Sequence, residues 1–149
     1  MPEYQDVGTC LSFDYGSRRI GTAIGEARLQ SARPLEVITN TNGTPDWDAI
    51  DRLISQWQPT DLVVGWPLDE SGEEQPLTQH VRGFIRRLAQ RYSLPVHKSD
   101  ERFSSIAAQE VIRHQRRSGQ RTRRSRHGDV DTVAAALILE TWFSLRTHS

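Results

Sequence analysis

The chain has 149 residues, enough for one domain with its own core and too few for two. It is 36% hydrophobic and 26% charged, as in a soluble globular protein, and no apolar run approaches the ~20 residues of a membrane span. The net charge of zero is unevenly spread: residues 1–101 carry 10 basic and 15 acidic side chains, and residues 102–149 carry 9 and 4.

Residues 1–8 read as a loose tail. Leu11 to Tyr15 is a short strand, Gly16-Ser17-Arg18-Arg19 a turn, and Ile20 to Glu26 a second strand with small residues at Gly21, Ala23 and Gly25. Pro34 to Thr39 is a third strand. Thr44 then caps a helix with Pro45 at its first position, and Trp47, Ile50, Leu53, Ile54 and Trp57 recur at helical spacing over 46–57. Asp61 to Trp66 is a buried strand that stops at Pro67. Thr78 caps a helix with Val81, Phe84, Ile85, Leu88 and Tyr92 on one face. Leu94 to His97 is another strand, ending near Asp100-Glu101, and Ser104 or Ser105 caps a helix through Ile112. Residues 113–127 form a basic, mobile loop. Asp129 to Arg146 is the last helix, with Val133, Ala134, Leu137, Ile138, Trp142 and Leu145 on its apolar side.

Three strands joined by turns argue for an antiparallel meander, and the later alternation argues for parallel strands joined by helical crossovers. The order predicts a single α/β domain over 1–149: a mixed five-stranded sheet with helices on both faces, the architecture of the ribonuclease H-like fold. The N-terminus is acidic and polar, unlike a secretory signal, and the single cysteine, Cys10, sits in an apolar run as a core residue would. A reducing cytoplasm is the expected location.

The chemistry resides in carboxylates. Asp14 follows Leu-Ser-Phe on a strand otherwise suited to the core, where an ionised group is costly unless paired or bound to a cation. The plainer alternative is a strand-end Asp bonded to the turn at Gly16-Ser17. Asp100 and Glu101 are adjacent at a strand end, so they point to opposite sides and only one faces a given site. Asp129 and Asp131 open the last helix, where capping explains Asp129 better than Asp131. If the first strand is central and the strand ending at His97–Ser99 runs parallel to it, their ends converge with the first turn of the last helix. Three carboxylates there would repel one another unless a divalent cation intervened, and hard oxygen ligands select Mg2+ or Mn2+. Two such ions about 4 Å apart activate water and stabilise the leaving oxygen in phosphodiester cleavage. The expected activity is that of a metal-dependent nuclease.

Four segments carry a resemblance. Phe13 to Gly21, Leu62-Val63-Val64-Gly65-Trp66-Pro67-Leu68, Asp100-Glu101-Arg102-Phe103-Ser104-Ser105 and Asp129 to Ala135 resemble, in order, the four motifs of the YqgF (RuvX) family. Trp66 stands where that family usually has Leu, and Asp69 where it commonly has Asn. The resemblance implies a ribonuclease H-like fold related to the RuvC resolvases, and a nuclease that helps mature the 5′ end of pre-16S ribosomal RNA. It also implies that Asp14, Glu101 and Asp131 are the catalytic metal ligands.

Of the 19 basic residues, 18 are Arg, the better bidentate phosphate ligand. Arg18, Arg19 and Arg102 flank the carboxylates and are expected on the scissile phosphate, although Arg102 could equally pair with Asp100 or Asp129. Arg113, Arg116, Arg117, Arg121, Arg123, Arg124 and Arg126 are expected on the nucleic-acid backbone, giving salt-sensitive affinity without sequence readout. Trp47, Trp57 and Trp142 fall on apolar helix faces and read as core. The partner is nucleic acid, either structured RNA such as pre-rRNA or branched DNA, with no membrane; monomer and homodimer both remain open. Two rivals stand: a phosphotransferase of the actin and sugar-kinase type, for which the chain is too short, and a non-catalytic ribosome-assembly module.

Overall fold

The computed structural model describes residues 8–68, 71–100 and 127–147. The tail up to residue 7, Asp69, Glu101, Arg102, the expected helix over 104–112 and the arginines from Arg113 to Arg126 lie outside the described residues. Strands β1 (Thr9–Tyr15), β2 (Arg19–Glu26), β3 (Ser31–Thr41), β4 (Thr44–Pro45), β5 (Asp61–Trp66) and β6 (Val96–Asp100) form one sheet in the order β4-β3-β2-β1-β5-β6. Neighbours from β1 to β4 pair antiparallel; β5 lies parallel to β1, and β6 parallel to β5. Among the described residues three helices accompany it: α1 (Trp47–Trp57), α2 (Pro76–Tyr92) and α3 (His127–Thr147).

The sheet has six strands rather than five. Asn42 and Gly43 both take positive φ, 52° and 79°, and fold the chain back so that Thr44–Pro45 pairs with Asn40–Thr41. Asn-Gly is the pair that such a two-residue hairpin demands. Thr44 and Pro45 are therefore strand, not the start of α1. Asp46 caps that helix, its Oδ1 accepting from the Ala49 amide at 3.2 Å. A similar shift holds at α2, where Gln75 is the cap and Pro76 the first helical residue. Thr78 sits three residues in, accepting from the Gln75 amide and donating to the Pro67 carbonyl. At the other end of the chain, Gly8 is tied to Thr60 and Ala27, and His127 already belongs to α3.

β3 is longer than the expected Pro34–Thr39 because β2 supplies partners from Arg19 to Glu26. Proline has no amide to give a ladder, and Pro34 lies where the pairing is irregular: Gly21 faces Val37 but Ala23 faces Pro34.

Alternation along β1 divides the core. Leu11, Phe13 and Tyr15 pack with α1 and α2 around Ile50, Leu53, Val81, Phe84 and Leu88. Cys10 packs on the other face with Ile138, Leu139, Trp142 and Phe143 of α3. Helices thus cover both faces. Trp142 is buried, and Trp47 and Trp57 pack against the first core, so all three are structural. The buried surface of α3 is the expected one in part: Ala134, Ile138 and Trp142 are buried, and Val133 and Leu137 partly so. Ala135, Leu139 and Phe143 are buried, whereas Leu145 is 58% exposed. Small side chains bring the helix close to the sheet at Ala135, so the buried stripe extends to that side.

Candidate active site at the carboxyl end of the central strand

The position of α3 follows from β2. Gly21, Ala23 and Gly25 line up on one face, and their partners on β1 are Asp14, Ser12 and Cys10. A Cβ on Gly21 would lie 2.1 Å from the carbonyl oxygen of Asp131, so the helix backbone rests directly on that glycine. One turn on, Ala23 clusters with Ala135 and Ala136, and the Ser12 hydroxyl donates to the Ala135 carbonyl at 2.8 Å. One turn further, a Cβ on Gly25 would meet Leu139 at 3.0 Å. A helical turn of four residues advances about 6 Å and two strand residues about 6.7 Å, so the two ladders stay in step. Because Gly21 is the partner of Asp14, the same register sets Asp131 beside Asp14. Asp14 continues the alternation of Cys10 and Ser12 and belongs to the α3 face.

The β1–β2 turn is held from β3. Asn40 donates through Nδ2 to the Gly16 carbonyl at 2.8 Å and through its backbone amide to the Arg18 carbonyl at 2.9 Å. A Cβ on Gly16 would strike the Arg19 carbonyl at 2.6 Å, so the turn closes only with glycine there. Asn40 is buried, and its Oδ1 has no hydrogen-bond partner among the described residues. The turn leaves Arg18 exposed and aims Arg19 across the site, where Nε lies 2.9 Å from Oδ2 of Asp131. Asn40, Ser12 and Gly21 were not among the expected site residues. The available signals were a polar residue two after the buried Ile38 and the small-residue alternation of β2.

β5 and β6 extend the same edge. Ser99 faces α3, its hydroxyl donating to the Ile138 carbonyl at 3.1 Å, while Asp100 alternates to the other face. Gly65 is the partner of Ser99 and adds no side chain between Asp14 and that strand. The structure therefore brings Asp14, Arg19 and Asp131 to one face. Glu101, Arg102 and the arginines from Arg113 to Arg126 lie outside the described residues. Among the described residues no three metal-ligating side chains are gathered. The two carboxylates fit a hard divalent cation in donor chemistry, since both offer oxygen only. Arg19 offsets the charge of Asp131.

Other polar groups are structural. Asp61 is buried, accepting from the Thr60 hydroxyl at 2.8 Å and lying 2.7 Å from His97 Nε2. His97 in turn stacks on Trp142. The Cys10 thiol is pushed up to about 12, first by burial and then by the charge of Asp61, so it is no nucleophile. Trp66 holds Lys98 and Arg82 over its ring, at 4.2 and 5.2 Å from the centroid.

Residues 8–145 match the RuvX family, described as Holliday junction resolvase. Proteins of Escherichia coli and Shigella boydii, each named "Putative pre-16S rRNA nuclease", are 42% identical over 136 residues, covering 91% of this chain and 96% of theirs. Among solved structures, T. thermophilus RuvC in complex with Holliday junction substrate is similar at a TM-score of 0.55 and 17% identity, over 94% of this chain and 96% of that one. The fowlpox virus resolvase in complex with Holliday junction DNA is similar at 0.52 and 13%, over 95% and 99%. At these identities the structural likeness speaks for the ribonuclease H-like fold alone.

Proposed function

The chain belongs to the RuvX family, and on that premise we propose a divalent-metal-dependent nuclease that hydrolyses phosphodiester bonds in 5′-end maturation of pre-16S rRNA. The observation that carries this is the seat of Asp131 against Gly21, the strand partner of Asp14, which sets two carboxylates on one face at the end of β1. Glu101 is the third ligand in this reading. Its assignment rests on the sequence motif Asp100-Glu101-Arg102, which begins at the last residue of β6.

Asp14, Glu101 and Asp131 would hold Mg2+ or Mn2+, which supplies a nucleophilic water and stabilises the leaving oxygen. The chain's own groups do the rest. The rigid β1–β2 hairpin and α3 fix the carboxylates, so no reorganisation is needed at the moment of reaction. Arg18 and Arg19, with Arg102, orient the scissile phosphate. Arg116, Arg117, Arg121, Arg123, Arg124 and Arg126, with Arg113, hold the flanking backbone and give salt-dependent affinity. A cytoplasmic location accompanies that substrate; no helix among the described residues is long and apolar enough to cross a membrane.

The family description favours a second reading, a resolvase acting on four-way DNA junctions. The test is cleavage of a pre-16S rRNA fragment and of a four-way junction, side by side, with Mg2+ and with Mn2+ and an Asp14→Asn control. Preferential, Asp14-dependent cutting of the RNA supports the proposal. Preferential cutting of the junction supports the second reading. Binding without cutting of either would leave a non-catalytic assembly module.

A further inference from the structure

We propose that Arg19 is an exchangeable counter-cation: it holds Asp131 until a divalent ion takes that carboxylate, and then passes to the nucleic-acid phosphate. The inference rests on the reading of Asp131 as a metal ligand and adds a consequence, namely that metal and nucleic acid bind cooperatively through one arginine.

Arg19 Nε lies 2.9 Å from Asp131 Oδ2, with the two side chains 40% and 23% exposed. Pairs as open to solvent as this are held weakly, because water and salt screen them. A doubly charged ion at the same oxygen interacts more strongly than a singly charged guanidinium. The exchange needs no backbone movement. Asn40 pins the Gly16–Arg18 turn before Arg19, and Gly21 pins the Asp131 backbone. Only side chains are left to move. A simple clasp between β2 and α3 would be redundant, since hydroxyls of Ser12 and Ser99 already tie α3 to the sheet and its apolar face is buried. The acidic neighbour on this face is Asp14, whose charge the ion would share. An arginine that is released from a carboxylate when the metal arrives is a bidentate phosphate donor at the place where the phosphate must sit. Linkage makes the effect reciprocal: bound nucleic acid, by drawing Arg19 away, raises metal affinity by the same factor.

Mn2+ binding is measured by calorimetry and by electron paramagnetic resonance on wild type, Arg19→Gln and Arg19→Lys, with and without a phosphorothioate RNA that resists cleavage. Without RNA, Arg19→Gln should bind Mn2+ on the order of 5- to 10-fold more tightly than wild type, while Arg19→Lys, which keeps the charge, should stay within about twofold. RNA should tighten Mn2+ binding to wild type several-fold and leave that of Arg19→Gln nearly unchanged. If Arg19→Gln binds Mn2+ no more tightly than wild type and melts at a lower temperature, Arg19 is a structural clasp and the proposal is overturned. Equal tightening in the Lys variant also overturns it, because charge would not be the cause. Wild type that binds no Mn2+ at all would instead remove the metal-site reading, and the exchange with it.

Discussion

Gly21→Ala probes the site without touching a carboxylate. The new Cβ would sit 2.1 Å from the Asp131 carbonyl and 2.9 Å from the Thr132 amide nitrogen, both backbone atoms that no rotamer change can move. Ordinary contact begins near 3.4 Å, so the turn of α3 at Asp131 must retreat by about 1.3 Å from the strand that pairs with Asp14. A misplacement of about 1 Å costs roughly 10²-fold in rate, or about 2.7 kcal/mol of transition-state stabilisation. Gly25→Ala is the control. It lies about 13 Å along the same strand, and its Cβ would meet the Ser31 carbonyl at 2.5 Å and the movable ends of Leu139 and Phe143. Both variants overpack and should lose about 1–3 kcal/mol of stability. Steady-state cleavage of a fluorescent RNA, with denaturant melts for each variant, separates the two effects. Gly21→Ala should lose about 100-fold in kcat/KM while Gly25→Ala, at matched stability, stays near wild type. Gly21→Ala within threefold of wild type, or equal losses in both, would refute the argument that this glycine sets the spacing.

Asp14→Asn should reduce cleavage to the level of an EDTA-treated sample while RNA affinity in a filter-binding assay stays equal or improves. The Asp51 carboxyl is held down to about 2 by hydrogen bonds from Arg91 and then Tyr92, with Arg91 Nη2 at 2.7 Å. Its depressed folded value means that the stability it adds is present above the ordinary value of 3.8 and is lost as pH falls toward about 2. Because the pair is solvent-exposed, Asp51→Asn should cost less than about 1 kcal/mol at pH 7, and the difference in chemical denaturation should vanish between pH 4 and pH 2. With its thiol pushed up to about 12, Cys10 has roughly one thiolate in 10⁴ at pH 8, so Ellman's reagent should label it only at the rate of unfolding.

The layered architecture was legible because apolar alternation on β1 and β5 and helical spacing in α1 and α2 are strong patterns. Two starts were misread for one reason, a local cap signal weighed without its neighbours. At Thr44-Pro45 the preceding Asn42-Gly43 demanded a hairpin, and at Thr78 the preceding Pro76 marked the first turn. The face of α3 was read in part: Ala134, Ile138 and Trp142 are buried as expected, but hydrophobicity ranks Leu145 above Ala135, whereas close approach to a glycine-bearing strand ranks them the other way. The convergence of Asp14 and Asp131 was expected from topology, but Gly21, noted only as a small strand residue, carries no chemistry of its own and was not linked to it. The Arg19–Asp131 pair depends on how a turn is held by Asn40, 21 residues beyond Arg19 in the sequence, and no local pattern encodes that.

The two serines that reach α3 from β1 and β6 grip it near its middle, at Ala135 and Ile138. A helix clamped at its midpoint cannot slide lengthwise, whatever pulls on its leading end. Asp131, ahead of the clamp, therefore keeps its depth against Gly21 of β2.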